Sequence, residues 1–155
     1  MTTAVHPYVE RLLRGGERPH GPYAWLNERR AAALERANAL AVPTTRDEEW
    51  RYTDITPLTR TSFAYAMPGA VPPRGVVEPL LLPEAAARLV FIDGYFAPEY
   101  SVTSQAAITV ESLAAALQRP AEGTEHALAR LASVESRLFT ALNTAHLRDG
   151  AYVRA

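Results

Sequence analysis

A proline-rich segment interrupts this chain and prevents a continuous helix from running between its two halves. From Met67 to Pro83 the sequence reads MPGAVPPRGVVEPLLLP, which holds five of the 12 prolines among 155 residues. Each proline lacks a backbone donor, and the residue before it favours extended geometry. We therefore predict a linker over residues 66–83, with a separate segment on either side.

The first segment, residues 1–65, shows the periodicity of helices. Val5–Arg14 has apolar residues at helical spacing and stops at Gly15-Gly16. A second helix is predicted from near Pro22 to Pro43, so the two form a helical hairpin. Its apolar stripe includes several alanines, and such small side chains predict close packing on a neighbour such as the first helix. That stripe consists of Leu26, Ala33, Leu34, Ala37, Leu40 and Ala41.

The second segment, residues 84–147, begins with the pattern of a β-hairpin. Arg88–Asp93 (RLVFID) predicts a strand, Gly94 a turn, and Tyr95–Thr103 the return strand. Ile108–Val110 predicts a third strand. The chain is thus expected to be an α+β protein, with a small hairpin-and-helix unit after the helical hairpin.

Two helices and a final strand are predicted after the hairpin. The helices are Ser112–Gln118 and a longer one over Glu125–Leu147. The apolar stripe within Leu131–Ala145 is expected to pack on the hairpin sheet, and recognition of a partner helix is the alternative. Residues 148–155 predict a turn followed by a strand, Ala151–Ala155, which we expect to continue into further sheet.

The most polar and aromatic window lies over Pro43–Leu58, read as PTTRDEEWRYTDITPL. Thr45 is predicted to begin a short helical turn. Its hydroxyl would cap the amide of Glu48, and the Glu48 carboxylate would return to the Thr45 amide, as in a capping box. The acidic residues would then lie near the positive end of the turn.

Clustered carboxylates in this window raise the question of catalysis or metal binding. Asp47, Glu48 and Glu49 are adjacent, and Asp54 follows. Neighbouring residues of a helix point about 100° apart, so the spacing disfavours convergence on one atom. We therefore predict no catalytic, cofactor-binding or metal-binding residue here, and no enzyme. A fragment of an enzyme that uses these carboxylates is the less favoured alternative.

The aromatic residues of the window allow two interpretations. Trp50, Arg51 and Tyr52 could form a binding patch in which the guanidinium stacks on an aromatic face. Alternatively, Trp50 anchors the turn to the helical layer, while Arg46 or Arg51 pairs with one of the carboxylates at Asp47, Glu49 or Asp54. We favour the anchored turn.

Composition excludes several classes of function. The formal charge is −1 and the pI is near 6.4, which disfavours binding to nucleic acid or to an anionic membrane. There is no cysteine, and no phosphate-binding loop is evident. The four histidines lack metal-ligand spacing; they are His6, His20, His126 and His146. Without a long apolar run, we expect a cytoplasmic protein.

Three blocks of the sequence, in order, carry a resemblance to a known family. The first is RDEEWRYTDITPL, in which the matching positions are Arg46, Glu48, Trp50, Arg51, Tyr52, Thr53, Pro57 and Leu58. The second is LVFIDGYFAPEYS at 89–101, and the third is FTALNTAHLRDGAYVRA at 139–155, which has His146 where an aromatic residue is usual. Together they resemble the N-terminal region of SufD, from the SufB/SufD family of iron–sulfur cluster assembly scaffolds.

The resemblance implies a non-catalytic role for this chain. SufD-like proteins pair with a SufB-like paralogue, and each binds a SufC-like ATPase. The family's right-handed β-helix and C-terminal helical region would follow residue 155, with 148–155 as the start of the β-helix. Partner contacts and cluster-related residues are expected there, so the iron–sulfur cluster belongs to the full complex and no cofactor to this chain. A stand-alone protein-interaction module is the alternative.

Overall fold

A computed structural model describes residues 6–14, 21–63, 65–67, 69, 71–105, 107–119 and 124–155, apart from the side chain of Gln105. The chain forms two compact units. The helical unit contains Met1–Tyr65 and Gly123–Leu147, and the sheet unit contains Ala66–Glu122 and Arg148–Ala155. Residues 123–147 therefore group with the N-terminal helices and not with the hairpin. The domain limits derived from the sequence stay predictions.

The described residues form helices and short antiparallel strands, so the protein belongs to the α+β class. The helices are α1 (Pro7–Arg14), α2 (Ala24–Ala39), α3 (Thr56–Arg60), α4 (Arg74–Val77), α5 (Leu113–Ala116), α6 (Thr124–Ala127) and α7 (Leu138–Ala145). The strands are β1 (Phe91–Ile92), β2 (Tyr95–Phe96), β3 (Ser104–Gln105), β4 (Thr109–Ser112) and β5 (Ala151–Arg154). Short 3-10 helices occupy Glu48–Trp50, Glu78–Leu80 and Pro98–Tyr100. None of the helices within these ranges is long and apolar enough to cross a membrane.

Small side chains on α2 bring α7 close in the helical unit. Ala33 and Ala37 are fully buried, as is Ala141 on α7. The absence of bulk at these positions lets the two backbones approach, which supports the predicted close packing. The principal neighbour of α2 is α7, with α1 also in contact. The prediction that the Leu131–Ala145 stripe packs on the hairpin sheet is therefore wrong.

The single long helix predicted over Glu125–Leu147 is also wrong, because the structure has two short helices there, α6 and α7. Ala129 lies between them with a φ of 56°, outside the right-handed helical region. Ser133 then accepts a hydrogen bond from the amide of Glu135, a local contact that competes with helix formation.

Arg30 is a buried cation on α2 that the helical pattern did not reveal. Only 8% of the residue is exposed. Its Nε and Nη2 atoms donate to the carbonyl of Leu147 at 2.9 and 2.7 Å, and Nη1 donates to Oδ1 of Asn27 at 3.0 Å. A buried charge is tolerated where such hydrogen bonds replace water. The side chain thereby holds the chain just beyond α7 against α2.

The sheet unit contains the predicted hairpin in a shorter form. Strands β1 and β2 pair antiparallel around Asp93 and Gly94, whose φ values are 50° and 86°. Such positive values at both central residues are typical of tight hairpin turns, which explains the glycine. The return strand was predicted to reach Thr103. Strand β2 ends at Phe96 because a 3-10 helix starts at Pro98, and the antiparallel pairing resumes only at the bridge between Arg88 and Val102.

A second sheet has the order β3-β4-β5, with both pairs antiparallel. The predicted strand at the end of the sequence is confirmed, and Val153 lies opposite Val110 of β4. Helix α5 follows β4 directly, with Ser112 Oγ accepting from the amide of Ala115 at 3.1 Å. Asp149 Oδ1 accepts from the amide of Ala114 at 2.7 Å. The chain before β5 is thus fastened to the start of α5.

The proline-rich segment is more ordered than a plain linker. It contains α4 and the 3-10 helix Glu78–Leu80. Val77 is buried with Ala97 and Tyr100 in the small core of the sheet unit. The Tyr100 hydroxyl donates to the carbonyl of Pro72 at 2.6 Å. This segment therefore packs on the hairpin that follows it.

Candidate functional site

An open groove of about 700 Å³ lies in the helical unit. It is bounded by the end of α2, the turn of the polar and aromatic window, and the start of α7. The lining residues are Leu40, Ala41, Val42, Pro43, Asp47, Glu48, Glu49, Trp50, Thr53, Ser136, Arg137, Leu138, Phe139 and Thr140. From the polar and aromatic window Pro43–Leu58, the groove thus gathers Glu48, Glu49, Trp50 and Thr53, and it leaves out Arg46, Arg51 and Tyr52.

The turn that forms one wall is fastened by Thr44 and Asp47. Asp47 Oδ2 accepts from the backbone amide of Thr44 at 2.7 Å and from its hydroxyl at 3.2 Å. In return, the Asp47 amide donates to the carbonyl of Thr44 at 2.9 Å. The predicted capping box between Thr45 and Glu48 is therefore wrong: the side-chain contact to a backbone amide lies one residue earlier, and it is not reciprocated by the Thr44 hydroxyl. The short aspartate side chain reaches the amide three residues back and fixes the turn at this earlier position.

Trp50 connects the turn to α7. Its ring lies 5.5 Å from that of Phe139 between centroids, at an interplanar angle of 46°. This tilted arrangement is one that aromatic pairs favour. Both side chains are half-buried and line the groove. The anchoring interpretation of Trp50 therefore agrees with the structure.

Glu49 also contacts the start of α7, through an ion pair that the sequence could not indicate. Its Oε1 lies 2.6 Å from Nη2 of Arg137, 88 residues along the chain. The expected pairing with Arg46 or Arg51 is wrong, since neither arginine forms an ion pair with any described residue. Both partners are more than half exposed, at 63% and 60%. Such a pair orients the turn and contributes little to stability.

Arg51 and Tyr52 form an exposed pair beside the groove. The guanidinium carbon of Arg51 lies 5.7 Å from the centroid of the Tyr52 ring. Tyr52 is 92% exposed, so this stack faces solvent and does not support the core. The Arg–aromatic stacking considered for a binding patch is thus present, while Trp50 lies apart from it against Phe139.

Asp54 stabilises the start of α3. Its Oδ1 accepts from the amide of Thr56 at 2.9 Å. Hydrogen bonds from the Thr56 side chain and backbone hold the pKa of the Asp54 carboxyl below its usual range. The group stays ionised near neutral pH, which suits a cap and does not suit a general acid.

The described residues include no group of three or more histidine, aspartate or glutamate side chains placed to hold a metal ion. His126 lies in α6 and His146 directly follows α7, and His20 lies outside the described residues. The charged lining of the groove comprises Asp47, Glu48, Glu49 and Arg137. Its chemistry is therefore that of an acidic surface with an aromatic floor.

These features define an α+β protein whose helical unit presents an open, acidic and aromatic groove. The family model described as "SufBD protein N-terminal region" matches residues 20–154. The chain therefore belongs to the SufBD family, and the family resemblance of the sequence blocks is confirmed.

A curated relative agrees with this assignment. The chain is 35% identical over 131 residues to an "Iron-sulfur cluster assembly SufBD family protein" of Synechocystis sp.. The aligned region covers 83% of this chain and 28% of the relative. The chain thus spans little more than a quarter of that relative's length.

Proposed function

We propose that this chain is the N-terminal region of a SufD-like scaffold protein that acts in iron–sulfur cluster assembly. The observation that carries the proposal is the family match over residues 20–154, which includes most of both compact units. The Synechocystis relative is named for the same process. The three sequence blocks resemble the N-terminal region of SufD, and the proposal of a SufD-like member rests on that resemblance.

The proposed contribution of this chain is structural and not catalytic. The carboxylates of the motif are exposed, Asp47 fastens a turn, and Glu49 pairs with Arg137. A catalytic acid or base usually lies in a desolvated pocket that shifts its pKa towards the working pH. The motif instead joins the turn to α7 through one ring contact and one ion pair. It thereby holds the groove walls together.

The proposed partners are a SufB-like paralogue and a SufC-like ATPase. We place the complex in the cytoplasm and the partner contacts outside this chain. The test uses the complete reading frame that encodes this chain, co-expressed with the SufB-like and SufC-like proteins of the same genome. We expect the three proteins to elute as one complex in size-exclusion chromatography. The isolated 155-residue chain should retain neither partner.

Two results would contradict this proposal in different ways. If the complete protein joins neither partner, the assignment to a SufD-like scaffold is wrong. If the isolated chain binds the SufC-like ATPase by itself, the family role stands and the placement of the contacts is wrong. Deletion of the gene should also lower the activity of iron–sulfur enzymes in the source cell, with an enzyme that has no cluster as control.

A further inference from the structure

We propose that the groove in the helical unit is a docking site for an extended peptide segment of a protein partner. The segment would carry Lys or Arg next to one or two apolar side chains. This inference goes beyond the proposed function, since it assigns a ligand class to a surface that the scaffold role leaves unused. It can be tested on the 155-residue chain alone.

The floor of the groove is apolar and accessible. Trp50 and Phe139 form its aromatic part, and Leu40, Val42 and Pro43 form its aliphatic part. All five are only half-buried, so an apolar side chain placed among them would remove further apolar surface from water. The volume of about 700 Å³ lies within the range of sites that enclose small ligands or a few side chains.

The rim of the groove favours a cation. Three carboxylates line it, at Asp47, Glu48 and Glu49, against one guanidinium at Arg137. Glu49 is already paired with Arg137, and Asp47 accepts hydrogen bonds at the turn. Glu48 has no hydrogen bond or ion pair from its side chain to the described part of the chain. Its carboxylate is therefore available to a basic partner group, and charge complementarity of this kind sets partner choice.

Besides the apolar floor and the acidic rim, the groove contains the first backbone amides of α7, and these favour a peptide over other ligands. Leu138, Phe139 and Thr140 line the groove, and the Arg137 side chain does not cap this helix end. The first amides of a helix have no carbonyl partner within the helix. Backbone carbonyls of an extended segment would supply such acceptors. A small apolar molecule would contact only the floor of the groove, and a simple cation would contact only its rim. A basic and apolar peptide would contact both and would also accept hydrogen bonds from the first amides of α7.

The binding test uses Trp50 as the reporter. A Trp25→Phe variant removes the other tryptophan, which lies on α2 outside the groove. Three peptide probes are titrated: Lys-Arg-Leu-Pro-Leu-Lys-Arg, the same peptide with Ser for both Leu, and Glu-Asp-Leu-Pro-Leu-Asp-Glu. We expect saturable binding of the first with a dissociation constant below about 1 mM. The second should bind about tenfold more weakly, and the third should not bind.

Two variants test the location. Glu48→Arg should weaken binding of the basic peptide by about three- to tenfold, and added salt should reduce that difference. Glu35→Arg, an exposed position of α2 outside the groove, is the matched control and should change nothing. Thr53→Phe should block the groove and weaken binding without a change of charge and without adding a second tryptophan. Circular dichroism confirms that each variant is folded.

Several results would overturn the proposal. Absence of a saturable Trp50 signal with the basic peptide excludes the site, and equal binding of the acidic peptide excludes the ligand class. An equal loss in Glu35→Arg shows that the attraction is not local to the groove. Dimerisation in sedimentation velocity that Glu48→Arg abolishes would make a second copy of this chain the occupant.

Discussion

Replacement of Arg30 by methionine tests whether this buried cation stabilises the helical unit. Met retains most of the apolar stem and removes the donors that reach the Leu147 carbonyl and Asn27. Each hydrogen bond to a charged group contributes about 1.5–3 kcal/mol, and Arg30 donates three of them. Removal of the charge also removes its desolvation cost, which offsets more than half of that contribution. We therefore expect a net loss of about 2 kcal/mol in the free energy of unfolding.

The measurement is urea unfolding followed by tryptophan fluorescence. Trp25 and Trp50 both belong to the helical unit, so the signal reports on the unit that contains Arg30. With a urea dependence of about 2 kcal/mol per M, the loss corresponds to a midpoint lower by about 1 M. Arg30→Lys keeps the charge and loses the planar arrangement of donors, so its midpoint should fall by about half as much.

The matched control is Arg46→Met. Arg46 is exposed and its side chain forms no hydrogen bond or ion pair with the described residues, so the change should stay within about 0.5 kcal/mol. If Arg30→Met has the same midpoint as the parent protein, Arg30 does not stabilise the helical unit. If Arg46→Met is as destabilising as Arg30→Met, the effect follows from lost positive charge in general and not from the buried contacts of Arg30.

Three further outcomes follow from the contacts of the motif and the hairpin. A double-mutant cycle with Glu49→Gln and Arg137→Gln should give a coupling energy below about 1 kcal/mol, because both side chains are exposed; a larger value would show that the pair is desolvated. Since the folded-state pKa of Asp54 is lowered, its stabilising contribution should be fully present above the unfolded-state pKa of about 3.9 and be lost as the pH falls through the folded value. An NMR titration of the carboxyl checks the direction, and Asp54→Asn should remove this part of the acid dependence of stability. Gly94→Ala should destabilise the sheet unit by about 1 kcal/mol because the φ of 86° is strained for alanine, and an unchanged thermal midpoint would contradict this.

Features set by neighbouring residues could be predicted from the sequence. The apolar periodicity of α1 and α2 indicated both helices, although α2 begins at Ala24 and not at Pro22. Turn chemistry at Gly94 indicated the hairpin. The apolar pattern did not indicate the short helix α3, whose start is held by a local hydrogen bond from the Thr56 amide to Asp54.

The candidate site could be predicted only in part. The sequence drew attention to the window that contains Glu49 and Trp50, because polar and aromatic residues are concentrated there. It did not indicate that Arg137 and Phe139 would complete the site, since no local pattern connects residues almost 90 positions apart. The small residues of α2 indicated close packing, but they did not name α7 as the partner.

The α+β class, the hairpin turn and the family were evident from the amino-acid sequence alone, because they depend on spacing and motif residues within short windows. The folded protein was needed to show which helices pack together, that Arg30 is buried, and that the motif turn faces α7 across a groove. Packing and charge pairing depend on distance in space and not on distance along the chain. Residues far apart in the sequence acquire these interactions only when the helices have assembled.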